Sequence, residues 1–348
     1  MREAIQNAKK SVYWELYIFV DDEAGSPFFD LLETKAKAGI DVKLIVDSFG
    51  SFWLSKKRMQ SLKDAGVDAR FFHERARYRG WWRMMVSRSH RKILVVDETV
   101  GFIGGVNIDR RMKEWLDIHM RVEGHIVRSL LRSFARSYMV CGGDGERVRY
   151  LLAYRFRVKK YTDDATELLT DNAGGSTSRV RKRYMEALLK ARERVILFSP
   201  YYFPDRKFLQ AMWRARKRGI KIDLLLPLRT DIRLATYAAY SFFSLMKAFG
   251  INVRLTTQMM HGKGMIVDDD EAIVGSSNLD PTSFYDNYEA GLHIRDKGFV
   301  TRLKKTVDGW MADAVGLDDM KWEKRGWRAK VKERFVSFLY RLWHRKRI

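Results

Sequence analysis

His90 and Lys92, two residues apart, open the stretch HRKILVVDETVGFIGGVN (90–107). On an extended chain residues i and i+2 face the same way, so an imidazole and an ammonium are presented together. The apolar run Ile93 to Val96 predicts a buried strand, closed by Asp97. Gly104 and its neighbour Gly105 predict a tight turn before Asn107. The same types recur in the same order in HGKGMIVDDDEAIVGSSN (261–278). His261, Lys263, Asp268, Gly275 and Asn278 each lie 171 positions after their counterparts. One such stretch can arise by chance; two in register indicate a duplicated unit.

These residue types suit attack on a phosphodiester. That reaction needs a nucleophile, a proton donor for the leaving alkoxide, and positive charge on the phosphoryl oxygens. Histidine can fill either of the first two roles near neutral pH. If the halves pack about a pseudo-two-fold axis, His90 and His261 face each other across one phosphate. Lys92 and Lys263 then supply charge, and Asn107 and Asn278 hydrogen bonds. Histidines are few, Cys141 is the sole cysteine, and no ligand cluster of zinc type occurs. Neither a metal nor a cofactor is expected. The lone cysteine excludes an intrachain disulfide and points to a reducing compartment.

The duplication extends to the elements that must hold these residues. AKKSVYWELYIFVDD (8–22) aligns with ARERVILFSPYYFPD (191–205), and KAGIDVKLIVD (37–47) with KRGIKIDLLLP (217–227). AGVDARFF (65–72) aligns with FGINVRLT (249–256). Each half reads strand, helix, strand, helix, strand, then the His-Lys strand and one more, an α/β sheet. So long a period means fused domains rather than a solenoid. The expected division is a first domain over 1–158, a second over 159–318 and a tail over 319–348, with KKYTDDATE (159–167) as linker. Before its first matching strand the second half carries ELLTDNAGGSTSRVRKRYMEALLK, a further strand, loop and helix. The first half opens with only REAIQNAKK, so it is expected to lack an amino-terminal strand.

A net charge of +23 over 348 residues calls for a polyanionic partner, nucleic acid or an anionic membrane surface. No apolar run is long enough to span a bilayer. Two regions bear on the choice. RARYRGWWRMMVSRSHR (75–91) mixes arginines with Trp81 and Trp82, which suits a lipid headgroup zone and also stacked bases. From Lys321 onward, eleven Lys or Arg accompany two Glu. Within that tail Val331, Phe335, Phe338, Leu339 and Leu342 recur at helical spacing, between Trp327 and Trp343. The stripe has two readings: an interfacial anchor, or a helix packed by that stripe onto the second domain. Together the regions favour a membrane over nucleic acid, with Trp81, Trp82, Trp327 and Trp343 as contact candidates.

HxKxxxxD followed by GGxN or GSxN, present twice, resembles the phospholipase D superfamily. The stretches FIGGVNIDRR…WLDIHMRVEG (102–124) and VGSSNLDPTSFYDNYEAGL (274–292) are similar to those of bacterial cardiolipin synthases. The resemblance covers about residues 5–315. It implies two fused α/β sandwich domains related by a pseudo-two-fold, with the active site at their interface. It further implies a metal-independent ping-pong transfer through a phosphohistidine, His90 being the nucleophile and His261 the general acid, then base. An acidic residue orients each imidazole. Asp117 lies 27 positions after His90 and Glu289 lies 28 after His261, which matches one to each histidine in its own half. Asp97 and Asp268 are expected to be structural, and Ser276 or Ser277 to bind phosphate. Thr282, Asp286 and Tyr288 depart from the common pattern and bear on the acceptor. The implied reaction makes cardiolipin from phosphatidylglycerol, donor and acceptor alike, at the cytoplasmic face of a bacterial membrane. Hydrolysis to phosphatidic acid is the nearest alternative, and a nuclease of the same superfamily the next. The sequence sets no oligomeric state.

Overall fold

A computed structural model describes residues 1–73, 87–152, 165–175 and 177–343. A short helix α1 (Arg2–Gln6) leads into β1 (Ser11–Leu16). Strands β2 (Asp41–Asp47) and β3 (Asp68–Phe72) follow through helices α2 (Ser26–Lys37) and α3 (Lys56–Asp64), and all three strands are parallel. Beyond β1 the sheet turns antiparallel through β4 (Ile93–Val96), β5 (Val100–Gly104) and β6 (His119–Glu123), giving the order β3-β2-β1-β4-β5-β6. Alternation along β1 explains its two-sided burial. Val12, Trp14 and Leu16 join Val42, Leu44 and Val46 in a core with Phe29, Leu32 and Met59 of the crossover helices. Tyr13, on the other face, stacks on Phe134 of helix α4 (His125–Val140) at 5.4 Å. Parallel strands need such cover on both faces.

After helix α5 (Gly145–Leu152) come β7 (Thr166–Asp171) and α6 (Arg179–Lys190). Strands β8 (Arg194–Phe198), β9 (Lys221–Pro227) and β10 (Asn252–Thr256) are parallel, joined by α7 (Arg206–Lys217) and α8 (Arg233–Ala248). β11 (Gly264–Val267), β12 (Glu271–Gly275) and β13 (Glu289–Ile294) precede α9 (Lys297–Ala312), β14 (Val315–Gly316) and α10 (Trp327–Trp343). The order is β14-β10-β9-β8-β11-β12-β13-β7. Without its two outer strands it repeats the first sheet, so the duplication is topological. Ser178, Asp205 and Asp296 each accept the N–H three residues on and cap their helices.

The chain divides into two compact units, and the division does not follow the sequence halves. One unit comprises Met1–Glu114, His119–Gly174 and Asp286–Gly291; the other comprises Trp115–Ile118, Gly175–Tyr285 and Leu292–Ile348. The first half thus contributes Trp115–Ile118 to the second unit, while the second half contributes Asp286–Gly291 and the stretch up to Gly174, with β7, to the first. The Trp81–Trp82 stretch and most of the expected linker lie outside the described residues, as does the side chain of Trp343.

Candidate active site

The motif aspartates hold hairpin geometry. In the β4–β5 connection Asp97 and Glu98 have φ of 52° and 60°, and between β11 and β12 Asp268 and Asp269 have 51° and 59°. This left-handed region is costly for residues with a Cβ. The Asp97 carboxylate offsets the cost by accepting the N–H groups of Lys9, Lys10 and Ser11 at 2.7–3.0 Å. Asp268 does the same for Arg192, Glu193 and Arg194 at 2.7–2.9 Å. Burial works against both carboxylates, but these backbone bonds outweigh it and hold them below the ordinary value. Gly104 and Gly275 end β5 and β12. Neither has positive φ, so the turn expected from them does not use glycine's left-handed freedom.

His90 and Lys92 precede β4 on an extended lead-in rather than within the strand. The segment from Asp286 runs alongside: Ser87 N donates to Asp286 O at 2.8 Å, Tyr288 N to Arg88 O at 2.8 Å, and His90 N to Tyr288 O at 2.9 Å. That stitching sets Glu289, fully buried, with both carboxylate oxygens 3.0 Å from His90 Nδ1. The buried Lys92 Nζ donates to the carbonyl of His90 at 2.7 Å, and Tyr17 meets the His90 ring edge-on at 4.9 Å. Asn107 Oδ1 accepts the Ile18 N–H at 3.1 Å.

The second constellation is built the same way. Leu116 N donates to Met259 O at 2.9 Å, and Leu116 O accepts from His261 N at 2.7 Å. Asp117 Oδ2 then lies 2.6 Å from His261 Nδ1. Burial pushes the Asp117 carboxyl up, yet the His261 and Lys263 charges and the hydrogen bonds prevail and lower it to about 2. Lys263 Nζ donates to the carbonyl of its own histidine, as Lys92 does. Ser276, Ser277 and Asn278 are buried beyond β12, and Asn278 N donates to Ser283 Oγ at 3.1 Å. Among the described residues, Ser277 Oγ and Asn278 Oδ1 have no hydrogen-bond partner.

The structure therefore gathers His90, Lys92 and Glu289 in one unit, and His261, Lys263 and Asp117 in the other. The acid pairing is the reverse of the one read from sequence spacing. Asp117 serves His261, and Glu289 serves His90. The cause is the exchange of segments, since Trp115–Ile118 and Asp286–Gly291 each belong to the opposite unit. In both cases Nδ1 is taken by a carboxylate, which fixes the ring and assigns chemistry to Nε2.

Sequence reasoning missed Arg91. Buried between the two motif residues, it donates from Nε to Glu289 O at 3.2 Å and from Nη1 to Ser137 Oγ at 3.1 Å. Its Nη2 reaches Asp171 O at 2.8 Å and Asn172 Oδ1 at 2.9 Å. The available signal was a charged residue at the one motif position whose alternation turns it away from the histidine.

Residues 1–136 and 184–310 match the family model described as "Cardiolipin synthase, PLD-like domain". The chain belongs to this phospholipase D-like family. A cardiolipin synthase A of Pseudomonas fluorescens is 33% identical over 338 residues, covering 93% of this chain and 68% of that protein. A cardiolipin synthase of Halalkalibacterium halodurans is 31% identical over 355 residues, covering 96% of this chain and 67% of the relative. This chain thus spans about two thirds of the length of either. In fold it is similar to the crystal structure of a phosphatidylserine synthase of Haemophilus influenzae, with a TM-score of 0.73, 16% identity, and 99% and 91% of the two chains covered. Family membership makes it a phospholipase D-type phosphatidyltransferase.

Proposed function

We propose that this phosphatidyltransferase makes cardiolipin from two molecules of phosphatidylglycerol. The observation that carries the reading is the repeated constellation: an imidazole with a buried carboxylate on Nδ1, and a lysine two residues on, twice in a chain of this family. His90 Nε2 attacks the phosphorus of the donor, the bond to the glycerol oxygen breaks, and His261 gives that oxygen a proton. The phosphatidyl group is then held on His90. A hydroxyl of the second phosphatidylglycerol passes its proton to His261 and attacks the phosphorus, breaking the P–N bond and freeing His90. Lys92, Lys263, Asn107, Asn278 and the Ser277 hydroxyl stabilise the charge on the phosphoryl oxygens. Both nucleophile and acid come from the protein, so the cycle needs no metal. The enzyme works as a peripheral protein at the cytoplasmic face of the membrane that holds its substrate. Thr282, Asp286 and Tyr288, off the common family pattern, are candidates for shaping the acceptor site.

The test is mass spectrometry of products after incubation with phosphatidylglycerol liposomes and EDTA, beside a His90→Ala control. Cardiolipin and glycerol, absent from the control, are expected. Phosphatidic acid alone would replace transfer by hydrolysis; cleavage of added DNA with no lipid product would replace it by a nuclease.

A further inference from the structure

Helix α10 is inside-out for a helix on a soluble protein. Its apolar residues Trp327, Val331, Phe335, Phe338, Leu339 and Leu342 follow the 3- and 4-residue spacing of one helical face. That face points to solvent: Trp327 is 70% exposed, Phe335 59% and Phe338 60%. The opposite face is the buried one, with Glu333, Val336 and Ser337 all below 7% exposed. It is also fixed in place. Arg325 pairs with Glu333 at 3.0 Å and lies 4.2 Å over the ring of Trp322, which packs on Tyr240 and Phe243 of α8. Lys332 sits 4.1 Å over Tyr237 of the same helix. The helix is clamped by its polar side, and its greasy side has no cover among the described residues.

We infer that this exposed stripe of α10 is a monotopic anchor, lying in the headgroup layer of an anionic bilayer with Phe335 and Phe338 among the acyl chains. The inference rests on the lipid-substrate reading above and names the surface that serves it. Arg328, Lys330, Lys332 and Arg334 are exposed and border the stripe, while the helix's single acidic residue, Glu333, is engaged by Arg325. Cations flanking an apolar face, with a tryptophan at its start, match a bilayer whose headgroups are negative. A second copy of the chain fits worse, because an isologous contact would bring the same cations together. At 17 residues, about 25 Å, the helix lies along a surface, and no described helix is long and apolar enough to cross a membrane. Because α10 is fixed to α8, membrane binding sets the orientation of the unit that carries His261.

The experiment is flotation of the full chain with vesicles of phosphatidylglycerol and phosphatidylcholine, or of phosphatidylcholine alone, comparing wild type with Phe335→Asp/Phe338→Asp. The double variant is expected to bind the anionic vesicles at least about tenfold more weakly. Equal binding would overturn the inference. So would a wild-type dimer that the variant splits while vesicle binding holds, since the stripe would then be a self-association surface. If circular dichroism shows the variant misfolded, Phe338→Cys bearing an environment-sensitive dye, in a Cys141→Ser background, replaces it. A blue shift on anionic vesicles supports the anchor; unchanged emission on bound protein overturns it. Flotation does not depend on turnover. A wild type that floats by its stripe yet makes no cardiolipin refutes the chemistry alone, and one that makes cardiolipin while the variant floats equally refutes the anchor alone.

Discussion

The reversed acid pairing assigns each carboxylate to one histidine, and in the first half-reaction a leaving-group substitution can separate their roles. In the proposed mechanism Glu289 orients the nucleophile His90, whereas Asp117 orients His261, which protonates the departing alkoxide. Replacing Glu289 by Gln, or Asp117 by Asn, keeps shape and removes a charged acceptor from an imidazole N–H. A hydrogen bond to a charged group contributes about 1.5–3 kcal/mol. At about 1.4 kcal/mol per decade, that is about 10- to 150-fold in the rate of the step it supports. With phosphatidylglycerol as donor, both variants slow single-turnover release of glycerol by this amount.

With phosphatidyl-p-nitrophenol the leaving group departs as its own stable anion and needs no general acid. Asp117→Asn then releases nitrophenolate at close to the wild-type rate, while Glu289→Gln keeps its full defect. Single turnover matters here, because the second half-reaction would call on His261 again as base. The opposite pattern, with Glu289→Gln rescued and Asp117→Asn not, would refute the assignment and restore the pairing inferred from sequence spacing. Equal rescue of both would show that neither carboxylate acts on a single step. Thermal melts of both variants check that the loss is catalytic, since Glu289 is fully buried.

Asp97→Ala and Asp268→Ala each remove the acceptor for three backbone N–H groups and are expected to cost about 1–2 kcal/mol of stability, a figure reduced for their partial exposure. Both carboxyls are held below their unfolded value, so this contribution is full above the ordinary carboxylate range and disappears as pH falls through the lower folded value. In urea titrations the gap between wild type and either variant should narrow from pH 7 to about pH 3; a gap independent of pH would refute the assignment. Arg91→Leu removes a buried cation with four acceptors and is expected to cost about 3–5 kcal/mol, measured by denaturation. Arg91→Lys, restoring charge but not the fork, should recover stability more than turnover if Arg91 positions Glu289.

The duplicated topology was legible because it is written in local signals: apolar runs of strand length, aligned in both halves, and a motif repeated at a fixed offset. The acid pairing was not. Which unit a four-residue stretch such as Trp115–Ile118 joins is decided by backbone bonds, among them His261 N to Leu116 O at 2.7 Å, and these leave no side-chain signature. Arg91 was hidden for a related reason. Its partners Ser137, Asp171, Asn172 and Glu289 are distant in sequence, and the repeat offers no parallel, since Gly262 takes its place. A Cβ on Gly262 would meet the Trp310 ring at 3.0 Å, so a side chain there would have to displace that ring. For the tail, periodicity revealed the stripe but could not say which side faces in; Arg325 and Trp322 decide that from outside the helix.

Segment exchange also bears on why the two copies remain in one chain. A protein made of residues 1–174 alone would keep His90 and Lys92 but lose Glu289, and one beginning at 175 would keep His261 and Lys263 but lose Asp117. In either fragment the imidazole would keep the strand that follows it and lose the carboxylate that fixes its ring. The duplication therefore produced something other than two independent sites, because each copy supplies a part that the other cannot make. Once Asp117 and Glu289 had come to serve the opposite histidines, their surroundings could diverge. Glu289 is now fully buried and backed by Arg91, whereas in the other copy Gly262 stands at the position of that arginine. The two histidines thus differ in their surroundings while sharing a motif, as the proposed division into a nucleophile and a general acid requires.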